Sequence, residues 1–153
     1  MPVGRLKAFL DEKRVRYVTM SHSSAYTAQE IAAATHIPGK ALAKTVMIKV
    51  DGTMKMAVLP AAHKVDLDQL KRAVGASEVE LATEAEFKNL FPDCETGAMP
   101  PFGNLYGLPV LVAERLAENT EIAFNAGTHT EVIKLAFADF ERLVKPTVLK
   151  FAV

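Results

Sequence analysis

Apolar positions in this chain follow two periods, one typical of helices and one typical of strands. Leu6, Phe9 and Leu10 recur at the spacing of one helix face and predict a first helix. Thr27 and Glu30 form a capping-box pattern, in which a hydroxyl and a carboxylate satisfy free amides of a first helical turn. The predicted helices cover residues 4–14, Thr27 to about Thr35, a segment starting at Asp66, a segment starting at Thr83, and a last helix from Phe137 to Val144 that ends before Pro146.

Short apolar runs bounded by turn residues predict the strands. Asp51-Gly52 between the apolar runs 45–50 and 54–59 indicates a hairpin, because both residues tolerate the left-handed backbone of a tight turn. Further strands are predicted at Tyr17 to Met20, Glu78 to Leu81, Leu108 to Ala113, Glu121 to Phe124 and Glu131 to Leu135, the last three in a second sheet region. Helices and strands mix without strict alternation, so we expect an α+β fold with a mixed, largely antiparallel β-sheet.

Composition limits the number of domains, the classes of binding partner and the compartment. The chain has 153 residues, half of them apolar, which suits a single domain over residues 1–153. Lys and Arg balance Asp and Glu at 18 each, so no large field draws the protein to nucleic acid or membrane, and contact with RNA would need a local basic patch. One cysteine excludes an internal disulfide and fits a reducing compartment. No apolar run approaches the roughly 20 residues that span a bilayer, and we expect a soluble cytoplasmic protein.

Two loops at the ends of predicted strands are rich in backbone-defining residues. The first is Gly97-Ala98-Met99-Pro100-Pro101-Phe102-Gly103, and the second is Phe124-Asn125-Ala126-Gly127-Thr128-His129. Proline fixes φ and glycine permits positive φ, so such loops can hold amide groups at fixed points. Rigid amides suit the binding of a polarised carbonyl, although the same residues are also those of ordinary tight turns.

Two lysines precede the first strand of the predicted hairpin. Lys44 stands at the strand entrance, where it is either a solvated strand end or a cation at the rim of a cleft. In the second case it would bind a phosphate or the polarised oxygen of an ester. Lys40 would extend this positive rim.

The sequence argues against several common chemistries. His22, His36 and His63 show no metal-ligand spacing, so a zinc site is not expected. His129 could act as a general base or as a hydrogen-bonding loop residue. Cys94 lies between two acidic residues that would raise the pKa of its thiol, which disfavours a cysteine nucleophile. Ser23 and Ser24 resemble helix-entry residues, and neither a serine-hydrolase elbow nor a nucleotide-binding glycine motif occurs.

Three segments together carry a family resemblance. Lys44-Thr45-Val46 enters a strand, Gly97-Ala98-Met99-Pro100-Pro101 follows, and Phe124-Asn125-Ala126-Gly127 with His129 comes last. In order and spacing they resemble the YbaK-like trans-editing proteins, also called prolyl-tRNA synthetase-associated editing domains. The resemblance covers nearly the whole chain. It implies a barrel-like mixed sheet flanked by helices, and hydrolysis of the ester that joins a wrong amino acid to the 3′ end of a tRNA.

The resemblance also implies site residues. It assigns catalytic roles to Lys44, Gly97, Ala98, Met99 and Gly127. Substrate contacts are expected at Met47, Pro100, Pro101, Phe102, Asn125, Ala126, Thr128 and His129, although Met47, Met99 and Phe102 could equally belong to the core. RNA contacts are expected at Lys40 and Lys44. No metal and no cofactor is expected.

The mechanism implied by the resemblance has no protein nucleophile. The free 2′-hydroxyl of the terminal ribose helps to activate or orient water, while amides near Gly97 to Met99 and Ala126 to Gly127 stabilise the oxyanion. A small pocket would admit alanine or serine and exclude larger residues. The expected partners are a mischarged aminoacyl-tRNA and an aminoacyl-tRNA synthetase, with no DNA and no membrane, and the expected state is a monomer.

Two alternatives stay open at this point. One is a non-catalytic module that binds tRNA or a synthetase with affinity borrowed from its partner, since net neutrality argues against a strong solitary RNA binder. The other is a hydrolase of small esters or amides that uses Cys94.

Overall fold

The strands pair into one mixed sheet with helices packed against it. The computed structural model describes residues 4–21 and 35–153. The strands in these ranges are β1 Tyr17–Ser21, β2 Leu42–Val50, β3 Thr53–Pro60, β4 Val79–Leu81, β5 Val110–Ala113, β6 Glu121–Asn125, β7 Glu131–Ala136 and β8 Thr147–Leu149. The helices are α1 Gly4–Glu12, α2 Leu67–Val74, α3 Glu84–Phe87, α4 Glu114–Ala117 and α5 Phe137–Val144, with 3₁₀ turns at Lys88–Leu90 and Gly103–Tyr106.

The strand order is β1-β7-β6-β2-β3-β5-β8, and β4 pairs with the far end of β2. The β1–β7, β2–β3, β2–β4 and β6–β7 pairs are antiparallel. The β2–β6, β3–β5 and β5–β8 pairs are parallel. The expected α+β fold with a mixed sheet is confirmed. The expected second sheet region is wrong, because β5 and β6 join β3 and β2 in the same sheet.

Local signals account for most of the elements. Asp51-Gly52 closes the β2–β3 hairpin, and the Asp51 carboxylate accepts the amides of Ser77 and Glu78 at 3.0 and 2.8 Å, which ties the turn to β4. Asp66 caps α2. Both halves of the Thr83 capping box form, although the helix is a single turn that continues as 3₁₀.

The predicted and observed elements do not match everywhere. The short helix α4 and the strand β8 were not predicted. The predicted helix from Thr27 to Thr35, and Ser23 and Ser24 before it, lie outside the described residues except for Thr35. Within the described ranges no helix combines the length and apolar character that a bilayer crossing requires.

The two faces of the sheet bury different clusters. Ala43 and Met47 of β2 pack on one face, with Phe102, Phe124 and Phe140 at the centre of the largest cluster. Ile48 and Val50 of β2 pack on the other face with the α2 side of the sheet. Leu42, Ala123 and Val132 form a third cluster at the end of the sheet where β2 meets β6. The alternation of side chains along β2 therefore decides which residues can share a pocket.

Candidate functional site

The two loops singled out in the sequence lie against each other. We call residues 94–103 the proline loop and residues 126–130 the histidine loop. The Glu95 amide donates to the Gly127 carbonyl at 2.8 Å, and the Gly127 amide donates to the Ala98 carbonyl at 2.9 Å. Gly97 and Gly127 have φ of 87° and 97°, a region that side chains with a Cβ rarely adopt. The glycines therefore permit the close backbone pairing of the two loops.

Glu95 and His129 reinforce this junction. The Glu95 carboxylate accepts the His129 amide at 2.6 Å. The His129 ring Nε2 lies 2.9 Å from the Thr96 carbonyl, which can only accept, so Nε2 carries the proton. His129 is buried, and its ring lies 3.6 Å from the position of a Cβ on Gly97. Nε2 is thus a structural donor between the loops, in keeping with the hydrogen-bonding alternative for this histidine.

The predicted oxyanion donors are mostly occupied. Besides Gly127, the amide of Ala98 donates to Glu95 at 3.0 Å and that of Ala126 donates to Glu131 at 3.1 Å. Because these three amides bond to carbonyls of the protein, the expectation that they face a ligand is corrected. The Gly97 amide differs, since its acceptor is the Met99 sulfur at 3.2 Å. A thioether is a weak acceptor, so a ligand oxygen could take over this amide at little cost.

The predicted pocket wall lies in the core. Met47, Met99 and Phe102 are 3%, 5% and 0% exposed and belong to the largest cluster. Met47 is three positions from Lys44 on β2, so the two side chains point to opposite faces of the sheet. The expectation that these three residues line a substrate pocket is therefore corrected in favour of the core alternative. Pro100 and Pro101 are buried beside them.

Lys44 and Asn125 come together at the junction of β2 and β6. The last parallel pair is Ala43 with Phe124, so the next residues along the two strands are Lys44 and Asn125. Alternation places both side chains on the face opposite Phe124. Lys44 is half-buried, and burial lowers the pKa of its ammonium, with a further contribution from the charge of Lys64. Among the described residues, no carboxylate forms an ion pair with Lys44.

Two further predicted site residues, Thr128 and Lys40, are partly or fully exposed. Thr128 is half-buried and its hydroxyl accepts the Thr130 amide at 3.3 Å, which shapes the tip of the histidine loop. Lys40 is exposed, and its carbonyl accepts the Asn119 side-chain amide at 2.8 Å. It borders a shallow surface cavity together with His63 and Arg115. Lys40 is therefore an exposed cation, and its contact with RNA stays a prediction.

Cys94 has the environment of an inert thiol. Burial raises the pKa of its thiol to about 11, and the charge of Asp93 adds to the effect. The sulfur lies 3.3 Å from the Tyr106 hydroxyl, which donates to Asp93 at 3.0 Å. The predicted rise of the Cys94 thiol pKa is confirmed, but burial contributes more to this rise than the flanking charges on which the prediction rested. In the part of the chain that the structure describes, no three His, Cys, Asp or Glu residues could hold a metal ion, and His22 lies outside this part.

Two features of the site were not predicted. Glu95 was predicted only as a charge beside Cys94, although it joins the two loops through its amide and its carboxylate. No local pattern indicates this role, because its partners lie more than thirty residues away. The second feature is the adjacency of Lys44 and Asn125, which depends on the parallel pairing of β2 and β6.

Comparisons with known proteins identify the family and support the fold. The family model described as "Aminoacyl-tRNA editing domain" matches residues 22–143. The chain is 32% identical to the multifunctional Ser/Thr-tRNA deacylase ProXp-y of Escherichia coli K12, over 96% of this chain and 90% of that protein. It is 33% identical to a proline–tRNA ligase of Bacillus mycoides over 49% of this chain and 13% of the ligase. A crystal structure of a candidate trans-editing enzyme for prolyl-tRNA synthetase superposes with a TM-score of 0.84 at 21% identity, covering 99% of this chain and 97% of the other, which supports the fold.

Proposed function

This chain belongs to the aminoacyl-tRNA editing domain family, and from this premise we propose that it hydrolyses the ester of a mischarged tRNA that carries a small amino acid, alanine or serine. The class of enzyme is an aminoacyl-tRNA deacylase that acts in trans, in the cytoplasm. The Ser/Thr-tRNA deacylase of Escherichia coli, similar over nearly its whole length, favours serine of the two.

One observation carries the proposal. Lys44 is a partly desolvated cation with no carboxylate partner among the described residues, and it lies beside Asn125, the last residue of β6 before the histidine loop. A buried ammonium is costly unless an anion or polarised oxygen compensates it. The terminal phosphate of a tRNA, or the carbonyl oxygen of its ester, supplies that compensation. We favour anchoring of the phosphate.

In this proposal the protein binds and positions the ester and stabilises its charge, and no side chain attacks it. At neutral pH a thiol with a pKa of about 11 is almost entirely protonated, so Cys94 does not attack the ester. His129 uses Nε2 to bind the proline loop. Activation of water is left to the free 2′-hydroxyl of the terminal ribose, as the family resemblance implies. The protein holds the ester beside that hydroxyl, which is a gain from positioning.

Gly97 is the oxyanion donor in this proposal. Its amide leaves the weak Met99 acceptor as negative charge develops on the ester oxygen. An interaction that is stronger in the transition state than in the ground state raises the rate of the chemical step. Met99, Ala98 and Gly127 then act by fixing the backbone of the two loops around this donor.

A panel of mischarged tRNAs tests the function. The purified protein is incubated with alanyl-, seryl-, threonyl-, cysteinyl- and prolyl-tRNA, and loss of the ester is followed. We expect rapid loss of seryl or alanyl esters. Tight binding of tRNA without loss of any ester would support the alternative of a non-catalytic binding module and would refute the deacylase.

Lys44→Met tests the role of the cation within that panel. We expect kcat/KM to fall by about a hundredfold to a thousandfold, the range typical for losing one preorganised charge or donor. Lys55→Met is the matched control, since Lys55 is also half-buried but lies near the far end of the hairpin, opposite Ile48. Equal rates in both variants would show that Lys44 has no part in the reaction. A repeat with a proline–tRNA ligase present tests the expected synthetase partner.

A further inference from the structure

Asn125 holds a buried acceptor that the described residues leave unused. Its side-chain Oδ1 is shut off from solvent and has no hydrogen-bond partner in residues 4–21 and 35–153. Buried polar atoms are nearly always paired, because an unpaired one loses its hydration without compensation. Such an atom near a binding site suggests that its partner belongs to a ligand.

The position of Asn125 is fixed by strand register. It is the last residue of β6 and pairs with Val132 on β7, which is fully buried in the third cluster. On the other side, β2 presents Lys44 at the next position after the last parallel pair. The cation and the unused carbonyl oxygen therefore occupy neighbouring positions on the same face.

The two groups complement different parts of an aminoacyl ester. Lys44 matches an anionic or polarised oxygen, whereas Asn125 Oδ1 matches a donor. An aminoacyl ester offers two donors, the α-ammonium of every amino acid and the side-chain hydroxyl of serine and threonine. A second cation beside Lys44 is unfavourable, and the charge of Lys64 already lowers the pKa of that lysine. The neutral hydroxyl is thus the better partner.

We propose that Asn125 is a specificity-determining residue, whose Oδ1 accepts a hydrogen bond from the side-chain hydroxyl of a seryl or threonyl ester. The inference rests on the proposed deacylase function and specifies its substrates as esters of amino acids that carry a side-chain hydroxyl. A site with a buried acceptor discriminates against an analogue that lacks the donor, because the acceptor then stays unpaired. Pocket volume alone cannot do this, since alanine is smaller than serine and enters wherever serine does.

The test compares rates on matched esters. Seryl- and alanyl-tRNA with the same tRNA body are given to the unmodified protein, to Asn125→Leu and to Asn125→Ala. We expect the unmodified protein to prefer the seryl ester by about tenfold to a hundredfold in kcat/KM, the range expected for one hydrogen bond to a buried neutral group. In both variants this ratio should fall close to one, because neither leucine nor alanine supplies an acceptor for the hydroxyl.

Leucine has the same number and branching of side-chain heavy atoms as asparagine and removes the unpaired acceptor, so Asn125→Leu should unfold at or above the temperature of the unmodified protein. Asn104→Ala is the control, since Asn104 is an exposed amide and should keep the ratio unchanged. A second measurement needs no variant: binding of non-hydrolysable seryl and alanyl amides of 3′-amino-3′-deoxyadenosine to the unmodified protein. The seryl amide should bind at least tenfold more tightly.

The outcomes separate this inference from the function on which it rests. Hydrolysis with an unchanged seryl-to-alanyl ratio in Asn125→Leu would overturn the role of Asn125 and leave the deacylase standing. Equal binding of the two amides, or a preference for the alanyl ester, would do the same. Absence of hydrolysis of every ester by the unmodified protein would overturn both.

Discussion

Removal of the Glu95 carboxylate should loosen the junction of the two loops and slow the reaction. In the structure its Oε1 accepts the His129 amide at 2.6 Å, while the backbone of the same residue bonds to Gly127 and Ala98. Glu95→Ala keeps the backbone bonds and removes only the carboxylate. The His129 amide, in a buried residue, then loses its acceptor.

The magnitude follows from the type of bond. A hydrogen bond to a charged group contributes about 1.5–3 kcal/mol. The Glu95 residue is exposed and water screens its charge, so we expect a contribution below that range, about 1–1.5 kcal/mol. For a chain of this size a loss of 1 kcal/mol lowers Tm by about 2–4 °C. If the same free energy shifts the equilibrium of the loops away from the arrangement that binds substrate, the population of competent sites falls by about tenfold at most.

Thermal unfolding and single-turnover deacylation of seryl-tRNA measure the two effects. Glu95→Gln is the informative partner, because its amide oxygen still accepts the His129 amide without charge, so it should recover part of both losses. Glu12→Ala, an exposed carboxylate at the end of α1, should change neither. A Glu95→Ala protein with unchanged Tm and unchanged rate would refute the role given to this contact. Lower Tm with full activity would show that the junction is structural only.

Three further predictions concern packing, acid stability and the thiol. Gly103→Ala should lower the free energy of unfolding in urea by about 1–3 kcal/mol, because the added Cβ would lie 2.7 Å from the Leu108 carbonyl oxygen. Gly39→Ala is the control and should lower it clearly less, because its added Cβ would lie 3.3 Å from the nearest atom. Equal losses in the two variants would contradict this prediction. The hydrogen bond from Lys49 lowers the pKa of Glu86 from 4.5 to about 2, so its stabilisation is present above pH 4.5 and is lost as the pH falls towards 2. Glu86→Gln should therefore flatten the decline of unfolding free energy over that interval, and an identical decline in both proteins would oppose this. Because burial raises the pKa of the Cys94 thiol to about 11, alkylation by iodoacetamide should be slow at pH 7 and accelerate towards pH 11. The Cys94→Ala variant should keep full deacylation activity. Rapid labelling at pH 7, or loss of activity in this variant, would support the alternative of a hydrolase that uses Cys94.

Much of the fold was predictable because its signals are local. The Asp51-Gly52 turn fixes the hairpin within a few residues, and the Thr83 capping box forms as its sequence predicts. The α4 helix and β8 were missed because each has only three or four residues, too few to establish a period. The length of the helix after Thr83 was not predictable either, since a cap determines where a helix begins and not how far it continues.

The candidate site was predictable only in part. The glycine and proline content of the two loops marked them as rigid, and the resemblance drew attention to Lys44. Met47, Met99 and Phe102 show the limit, because an apolar side chain near a motif is equally compatible with a pocket and with the core. Likewise, the amide of Ala98 could not be known to be occupied until the folded loop showed its acceptor.

The sequence by itself determined which residues turn, cap and alternate, since these choices depend on φ preferences and on partners a few residues away. Only the tertiary structure decided that β6 runs parallel to β2 in the register that sets Asn125 beside Lys44, and that Glu95 reaches the histidine loop. The physical reason is that a one-residue change in register turns every side chain of a strand to the other face. That choice is made by the burial of the whole sheet and by no single segment.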